Sequence, residues 1–233
     1  MAFRHELKYI INEREKDVLE RQLSLMAKKD PNAGFDGKEG VYFIRSLYFD
    51  DMEGSSYYEK IDGVNRRAKY RIRIYNGQDS LIRLEKKEKV GGYIRKTQAV
   101  LSREEAEGLN FGDPSVISRR NEPILREFYI LCLARGMKSE VIVDYERTPY
   151  IYDLGTVRIT FDMHLRASIP GSIFDFSLPS YEAMERGQLI LEVKYTELLP
   201  EFFRELLQPM AGSFAAASKF ILCDEIKRQI HGG

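Results

Sequence analysis

Polar and apolar residues alternate with a two-residue period in eight separate stretches of the chain. The pattern is sharpest at Arg66–Tyr75, where Arg67, Lys69, Arg71, Arg73 and Tyr75 fall on one side and Ala68, Tyr70, Ile72 and Ile74 on the other. That spacing predicts a strand carrying a row of cations. Similar strands are predicted over 3–10, 41–50, 66–76, 79–89, 92–101, 140–152, 156–167 and 188–196. Asn76-Gly77 and Gly91-Gly92 supply hairpin turns, so residues 66–101 read as an antiparallel meander.

Helix signals separate the strands. Asn12 with Glu15 forms a capping-box start for a helix reaching about residue 28, which Asp30-Pro31-Asn32-Ala33-Gly34 breaks. Ser102 with Glu105 opens a short helix, and Glu122-Pro123 opens another reaching about residue 136, whose apolar Ile124, Phe128, Leu131 and Leu133 suggest partial burial. Further helical segments are predicted over 200–208 and 214–230. No internal repeat or low-complexity segment interrupts this plan.

A chain of 233 residues is long enough for one large domain, here spanning 1–233. The predicted class is α+β. About eight antiparallel strands with charged faces can close into a barrel, with helices packed outside and the charges within. They can equally form an open sheet with a solvated outer face, because alternation does not say which side is inside.

Net charge does not point to a partner, since Lys+Arg and Asp+Glu both total 36. Cys132 and Cys223 lie in different predicted helices and read as free thiols of a reducing compartment, hence the cytoplasm. No apolar run approaches the roughly 20 residues of a membrane span, and the first six residues begin a strand pattern rather than a signal peptide.

The distribution of charge says more than its sum. Lys8, Lys69, Arg71, Arg73, Arg83 and Lys87 sit on polar strand faces, as do Lys96, Arg147, Arg158 and Lys194, with Lys219 at the last helix. Only four acids share those faces: Glu6, Glu85, Asp162 and Glu192. Gathered into one enclosure, such an excess of cations is costly unless a polyanion neutralises it. Phosphate chains suit such a lining, because arginine forks grip phosphate oxygens and lysines add movable point charges. A divalent cation would then need a carboxylate, and Glu192 is the first candidate; the ordinary alternative makes it a salt-bridge partner of Lys194 or a facing arginine.

An ordered set of short motifs carries a family resemblance. Glu6-Leu7-Lys8-Tyr9, Arg45-Ser46-Leu47-Tyr48-Phe49-Asp50, Glu59-Lys60-Ile61-Asp62-Gly63 and Lys69-Tyr70-Arg71-Ile72-Arg73-Ile74-Tyr75 come first. Leu84-Glu85-Lys86-Lys87, Tyr145-Glu146-Arg147, Arg158-Ile159-Thr160-Phe161-Asp162, Leu191-Glu192-Val193-Lys194-Tyr195 and Ser218-Lys219-Phe220 follow. Over about 3–222 this set resembles the VTC domain, the polyphosphate polymerase domain of the vacuolar transporter chaperone complex, in the triphosphate tunnel metalloenzyme superfamily.

The resemblance implies an eight-stranded antiparallel tunnel acting on ATP or triphosphate and inorganic polyphosphate, with Mn²⁺ or Mg²⁺ as cofactor. It implies catalytic roles for Arg71, Arg73, Arg147, Arg158 and Lys219, phosphate binding by Lys8, Lys87 and Lys96, and Glu192 as metal ligand. Lys194 and Ser218 join the phosphate-binding set less directly, as do Tyr48 and Glu85; Lys69 and Arg83 enter it from the charge pattern. One departure matters: the hydrolytic branch begins with Glu-x-Glu-x-Lys, whereas this chain reads Arg4-His5-Glu6-Leu7-Lys8. Fewer carboxylates favour holding a phosphate chain over activating water, so polymerase-like transfer is expected, with a triphosphatase or polyphosphatase as the alternative. A non-catalytic module that binds polyphosphate or another polyanion, as part of an assembly with a membrane-associated partner protein, is the reading from another class.

Other chemistries find little support. No P-loop spacing occurs, and His5, His164 and His231 lack metal-site spacing. The serines have no recognisable histidine–acid partners. No RNA-binding motif accompanies the tyrosines and basic residues, so no nucleic-acid partner is expected.

Overall fold

The computed structural model describes residues 5–30, 33–35, 38–91, 93–152, 157–196, 198–215 and 217–231. Arg4, Gly92 and Thr156, which fell within predicted strands or turns, lie outside the described residues. Eight principal strands are present: β1 His5–Asn12, β2 Tyr42–Asp50, β3 Arg66–Tyr75, β4 Gln78–Val90, β5 Tyr93–Leu101, β6 Lys138–Tyr152, β7 Val157–Ser168 and β8 Gln188–Tyr195. They form one antiparallel sheet in the order β1-β8-β7-β6-β2-β3-β4-β5, to which two short segments, Lys28–Lys29 and Ser180–Glu182, add on β6 and β7. Gly34–Phe35 pairs separately with Lys38–Glu39.

The hydrogen-bonded ladder is not closed: β1 and β5 end the path and do not pair with each other among the described residues. Side chains bridge the gap instead. Lys87 on β4 reaches Glu6 on β1 at 2.8 Å, so the sheet curls until its two ends face each other across an interior. The closed barrel expected from the sequence is therefore met as a curled α+β sheet, because β1 spends its ladder on β8 alone.

Six helices are present among the described residues: α1 Glu13–Leu23, α2 Ser55–Ile61, α3 Arg103–Asn110, α4 Pro123–Arg135, α5 Glu201–Leu207 and α6 Lys219–His231. Of these, α1, α3, α4 and α5 pack on outward-facing strand residues, whereas α6 packs on the cavity side against Tyr48 and Tyr145. The capping boxes of α1 and α3 form as read, with Asn12 and Ser102 accepting from the backbone of Glu15 and Glu105. Their apolar stripes dock on the outer faces of the strands. Leu19 and Leu23 of α1 pack with Ile159, Phe161 and Leu191, while Phe128 of α4 meets Tyr70 and Phe49 with ring centroids 5.2 and 5.0 Å away. Each such fully buried side chain contributes about 1.5–3 kcal/mol, and together they hold apolar strand residues such as Ile72, Leu84, Ile142, Ile159 and Leu191 outward against helices. The charged side is thereby turned inward.

Several boundaries differ from expectation. α1 stops at Leu23, not near residue 28, because Lys28–Lys29 leaves the helix to pair with Tyr150 and Ile151. α6 starts at Lys219 rather than 214, since residues 208–213 form a 3₁₀ turn and Phe214 bridges to Tyr9. α2 carries no strong sequence signal and was not predicted; its N-cap is a glycine, Gly54, in the left-handed region at φ 69°. α4 is partly buried as expected, through Ile124 and Phe128, while Leu133 is 64% exposed. Both cysteines are free, Cys223 buried and Cys132 half-buried. Among the described residues no helix is long and apolar enough to cross a membrane.

Candidate functional site

Curling the sheet encloses a cavity of about 1050 Å³ lined by all eight principal strands and by the start of α6. Strand pairing sets its chemistry. Glu6 lies opposite Lys194 and Lys8 opposite Glu192 on β1–β8, while Arg71 lies opposite Glu85 and Lys69 opposite Lys87 on β3–β4. Because side chains alternate, a register that puts one of these residues inside puts its whole row inside. All thirteen residues singled out from the sequence reach this cavity: Arg71, Arg73, Arg147, Arg158 and Lys219; Lys8, Lys69, Arg83, Lys87, Lys96, Lys194 and Ser218; and Glu192. Arg67, on the same alternating face of β3, does not line it.

Each acid sits at the centre of several cations. Glu85 is buried and receives both Nε and Nη2 of Arg71, at 2.9 and 2.7 Å, with Lys96 at 2.5 Å and Arg73 at 3.8 Å. Asp162, behind the cavity wall, receives Arg147 at 2.6 and 2.8 Å and Lys219 at 2.6 Å. Glu192 is shared by Lys194 at 2.7 Å, Arg147 at 3.3 Å and Lys8 at 3.5 Å, and Glu6 by Lys87 at 2.8 Å, Lys194 at 3.5 Å and Lys8 at 3.8 Å. Both the metal-ligand and the salt-bridge readings of Glu192 thus have their geometry: the carboxylate faces the cavity and is also paired with Lys194.

Two phenols hold the central arginines. Arg71 donates to Tyr48 Oη at 2.7 Å, and Arg73 donates to Tyr145 Oη at 2.9 Å and to Ser46 Oγ at 3.0 Å. Lys219, at the first position of α6, lies over the Tyr145 ring at 5.0 Å, and Lys69 lies over Phe220 at 4.2 Å while donating to Ser218 Oγ at 3.3 Å. Lys8 donates to the Ala217 carbonyl at 3.1 Å, tying β1 to the residue before Ser218.

The cations remain in excess. The buried Nε atoms of Arg83 and Arg158 have no hydrogen-bond partner among the described residues. Burial pushes the Lys87 ammonium down and neighbouring Lys8 pushes it further, to about 7, against the opposing pull of Glu6 and Glu192. Its side chain is 36% exposed, so solvent offsets part of that penalty. Burial likewise lowers Lys69, Lys96 and Lys194. Burial raises the carboxyls of Glu85 and Glu192, but Arg71 and Arg73 for the first, Lys194 and Lys8 for the second, outweigh it and hold both below the usual range. An incoming polyanion therefore meets ionised acids already paired and a surplus of unsatisfied donors.

A divalent cation has a limited donor set here. Among the described residues no cluster of three His, Cys, Asp or Glu side chains could hold a metal. Glu6 and Glu192, linked through Lys8 and Lys194, are two carboxylates on adjacent strands. This fits Mg²⁺ or Mn²⁺ bound through one or two carboxylates, with phosphate oxygens and water supplying the remaining ligands.

Sequence reasoning missed Asp30 and Tyr42, which join the lining together: Tyr42 Oη donates to Asp30 at 2.7 Å, and Arg158 approaches the same carboxylate at 3.4 Å. Asp30 stood in a segment read only as a helix breaker. His5 also lines the cavity and stacks on Tyr195 at 5.0 Å, a contact no metal-ligand spacing could signal. Its partner in that reading, His164, sits at φ 53° in a β-bulge of β7, where its ring approaches Glu146.

The sequence profile of the VTC domain matches residues 3–225. No curated protein matches the chain. Among solved structures, a Bacillus halodurans protein provisionally designated an adenylate cyclase aligns with TM-score 0.56 and 13% identity, covering 93% of this chain and 94% of its own. A Vibrio parahaemolyticus protein with the same provisional designation aligns with TM-score 0.51 and 9% identity, over 95% and 97% of the two chains. A Pyrococcus horikoshii protein aligns with TM-score 0.50 and 13% identity, over 96% and 99%. At these identities the structures share the fold.

Proposed function

The chain belongs to the VTC domain family, and on that footing we propose that it is a cytoplasmic polyphosphate polymerase, a single domain over 1–233 whose curled sheet works as a triphosphate tunnel. The observation that carries this reading is the convergence of twelve Lys and Arg side chains on one cavity lined by four acids. Such a wall matches a phosphate chain better than an isolated anion, because its cations are spread over seven of the eight principal strands and the start of α6.

In this reading Arg71, Arg73, Arg147 and Arg158 grip the transferring phosphate and its neighbours. Lys219 neutralises charge at the same point, and Lys8, Lys69, Arg83, Lys87, Lys96, Lys194 and Ser218 hold the rest of the chain. A terminal oxygen of the polyphosphate acceptor bonds to the γ-phosphorus of ATP while the bond from that phosphorus to the β–γ bridging oxygen breaks, releasing ADP. The acceptor oxygen is already ionised at neutral pH, so no general base is required, and the protein's part is positioning and charge compensation. Glu192, with Glu6 beside it, would hold Mg²⁺ or Mn²⁺, which supplies electrostatic stabilisation of the phosphates when bound. The two free thiols suit a reducing cytoplasm.

Incubation with ATP and Mn²⁺, followed by separate assays of polyphosphate and free phosphate, tests the proposal. Chain growth supports it; phosphate release without chain growth replaces it with a hydrolase, and binding without turnover with a polyanion-binding module. Glu192→Gln removes a carboxylate charge at nearly constant size, so at least roughly a tenfold loss of Mn²⁺-dependent turnover is expected, with triphosphate affinity largely kept. Titration of turnover against Mn²⁺ checks this, and a curve matching wild type would exclude Glu192 from the metal position.

A further inference from the structure

Chain elongation needs no base, because the acceptor is an ionised phosphate oxygen. The first transfer has no such acceptor unless a phosphate primer is supplied, and a hydroxyl in its place must lose a proton. One hydroxyl on the cavity wall stands where that can happen. Ser218 lies immediately before α6, next to Lys219, which shares Asp162 with Arg147. Two bonds to β1 fix its segment: Ala215 N–H donates to the Lys8 carbonyl at 2.9 Å, and Lys8 Nζ donates to the Ala217 carbonyl at 3.1 Å.

The Ser218 carbonyl opens α6 by accepting from Leu222 N–H at 3.0 Å, so the residue stands at the N-cap. A serine there ordinarily turns its hydroxyl to the free N–H groups of the first turn. Among the described residues Ser218 Oγ makes no such bond and instead meets Lys69 Nζ of β3 at 3.3 Å. Lys69 differs from the other lysines of the cavity. Lys8, Lys87, Lys96, Lys194 and Lys219 each pair with a carboxylate at 2.5–3.5 Å, whereas Lys69 has no ion pair among the described residues. Burial pushes its ammonium well below the usual range and Lys60 of α2 pushes it further; Asp50 of β2 opposes the fall, and Arg67 of β3 and Lys8 of β1 add to it. Asp50 is committed elsewhere, its carboxylate accepting from the backbone N–H groups of Asp51, Ser56 and Tyr57 at 2.8–3.2 Å. The ring of Phe220, 4.2 Å from Nζ, covers another side of the amine.

We propose that Ser218 is a phosphoryl acceptor with Lys69 as its general base, so that the protein primes its own polyphosphate chain. Ser218 Oγ bonds to the γ-phosphorus of ATP, its proton passes to the free amine of Lys69, and the bond from that phosphorus to the β–γ bridging oxygen breaks, releasing ADP. The phosphoserine then offers an ionised phosphate oxygen, the kind of acceptor that later transfers use without a base, and Lys69, now an ammonium, pairs with it. The inference rests on the polymerase reading of the cavity and adds to it how a chain begins. A free amine beside a hydroxyl is the arrangement by which a lysine activates a serine. The N-terminus of the 13-residue α6 favours the negative charge that then collects on Ser218.

Incubation of the full chain with γ-labelled ATP and Mn²⁺, with and without inorganic triphosphate as primer, tests the proposal. Label is expected to stay on the protein through denaturation, and peptide mass spectrometry to place it on Ser218. Ser218→Ala removes that label, and Ser218→Thr, which keeps a hydroxyl, restores part of it. Lys69→Arg keeps a cation for phosphate but stays protonated, so labelling slows at least about a hundredfold. In Ser218→Ala and Lys69→Arg the ratio of unprimed to primed chain growth falls at least roughly tenfold; loss of phosphate binding alone would lower both together. Ser218→Ala deletes a single oxygen, so it keeps the test valid should Lys69→Arg disturb packing over Phe220. No label on Ser218, or an unchanged ratio in Ser218→Ala, overturns self-priming while leaving polymerisation standing. Absence of chain growth in wild type with primer and without it removes the polymerase reading and the priming role together.

Discussion

Asp162→Asn is expected to cost about 3–5 kcal/mol of folding stability, the scale for removing one partner of a buried ion pair. The carboxylate is almost fully buried and receives two hydrogen bonds from Arg147 and a close contact from Lys219. Asparagine keeps the size but leaves two buried cations facing a neutral amide. Since whole domains are stable by only about 5–15 kcal/mol, a loss of this size should be plain in urea-unfolding midpoints. Triphosphate should restore part of it, because phosphate oxygens can take over Arg147 and Lys219. A destabilisation below about 1 kcal/mol would mean that the triad is solvated and contributes little. The pH dependence follows from the same contacts: burial raises the Asp162 carboxyl, but Arg147 and Lys219 outweigh it and hold it at about 2, against 3.8 unfolded. Its stabilisation is therefore complete above about pH 4 and is lost as pH falls toward 2.

Saturating triphosphate should raise the melting temperature far more than sulfate at equal ionic strength. At a hundredfold excess over Kd, preferential binding contributes about 2.7 kcal/mol, or roughly 5–10 °C for a domain of this size. Sulfate can occupy single positions but cannot bridge the rows of β3, β4 and β6. The shift should shrink with added salt. It should also shrink as pH rises from 6 to 8.5, because Lys87, pushed to about 7, loses the proton that a phosphate chain requires. In the ligand-free protein the sign is opposite. Unfolded Lys87 stays protonated up to about 10.5 while folded Lys87 does not, so stability from this group rises with pH between about 7 and 10.5. A thermal-shift series that gives triphosphate and sulfate equal effects would show that the cations do not act as one chain-length site.

Strand rows were legible in the sequence because alternation reports directly on which side chains share a face. Eleven of the thirteen candidate residues share one cavity for that reason, with Ser218 and Lys219 brought in at the start of α6; their individual roles belong to chemistry that spacing alone does not fix. Which face turned inward was not legible, since it depends on α1, α3 and α4 claiming the apolar side. Closure was overread: alternation carries no information on whether β1 and β5 meet, and Lys87–Glu6 spans the seam by side chains. Asp30, Tyr42 and His5 escaped notice because their place in the cavity comes from tertiary approach, with no local pattern to mark them. α2 was missed because it is seven residues long and begins at a left-handed glycine without a side-chain cap.

The tie between β1 and the segment before α6 has a kinetic consequence. Lys8 contacts Ala217 across 209 residues, Tyr9 bridges Phe214, and among the described strands β1 pairs with β8 alone. Loops of that length close late, and contacts so remote in sequence slow the search for the native state. The β3–β5 hairpins can form early from neighbouring segments, bringing Arg71, Arg73 and Lys87 together before Lys8 or Lys219 arrives. The cavity is then a product of the last folding step, and a phosphate chain present during refolding would act on a half-assembled set of cations, accelerating closure where it bridges the two halves and trapping the chain where it binds one alone.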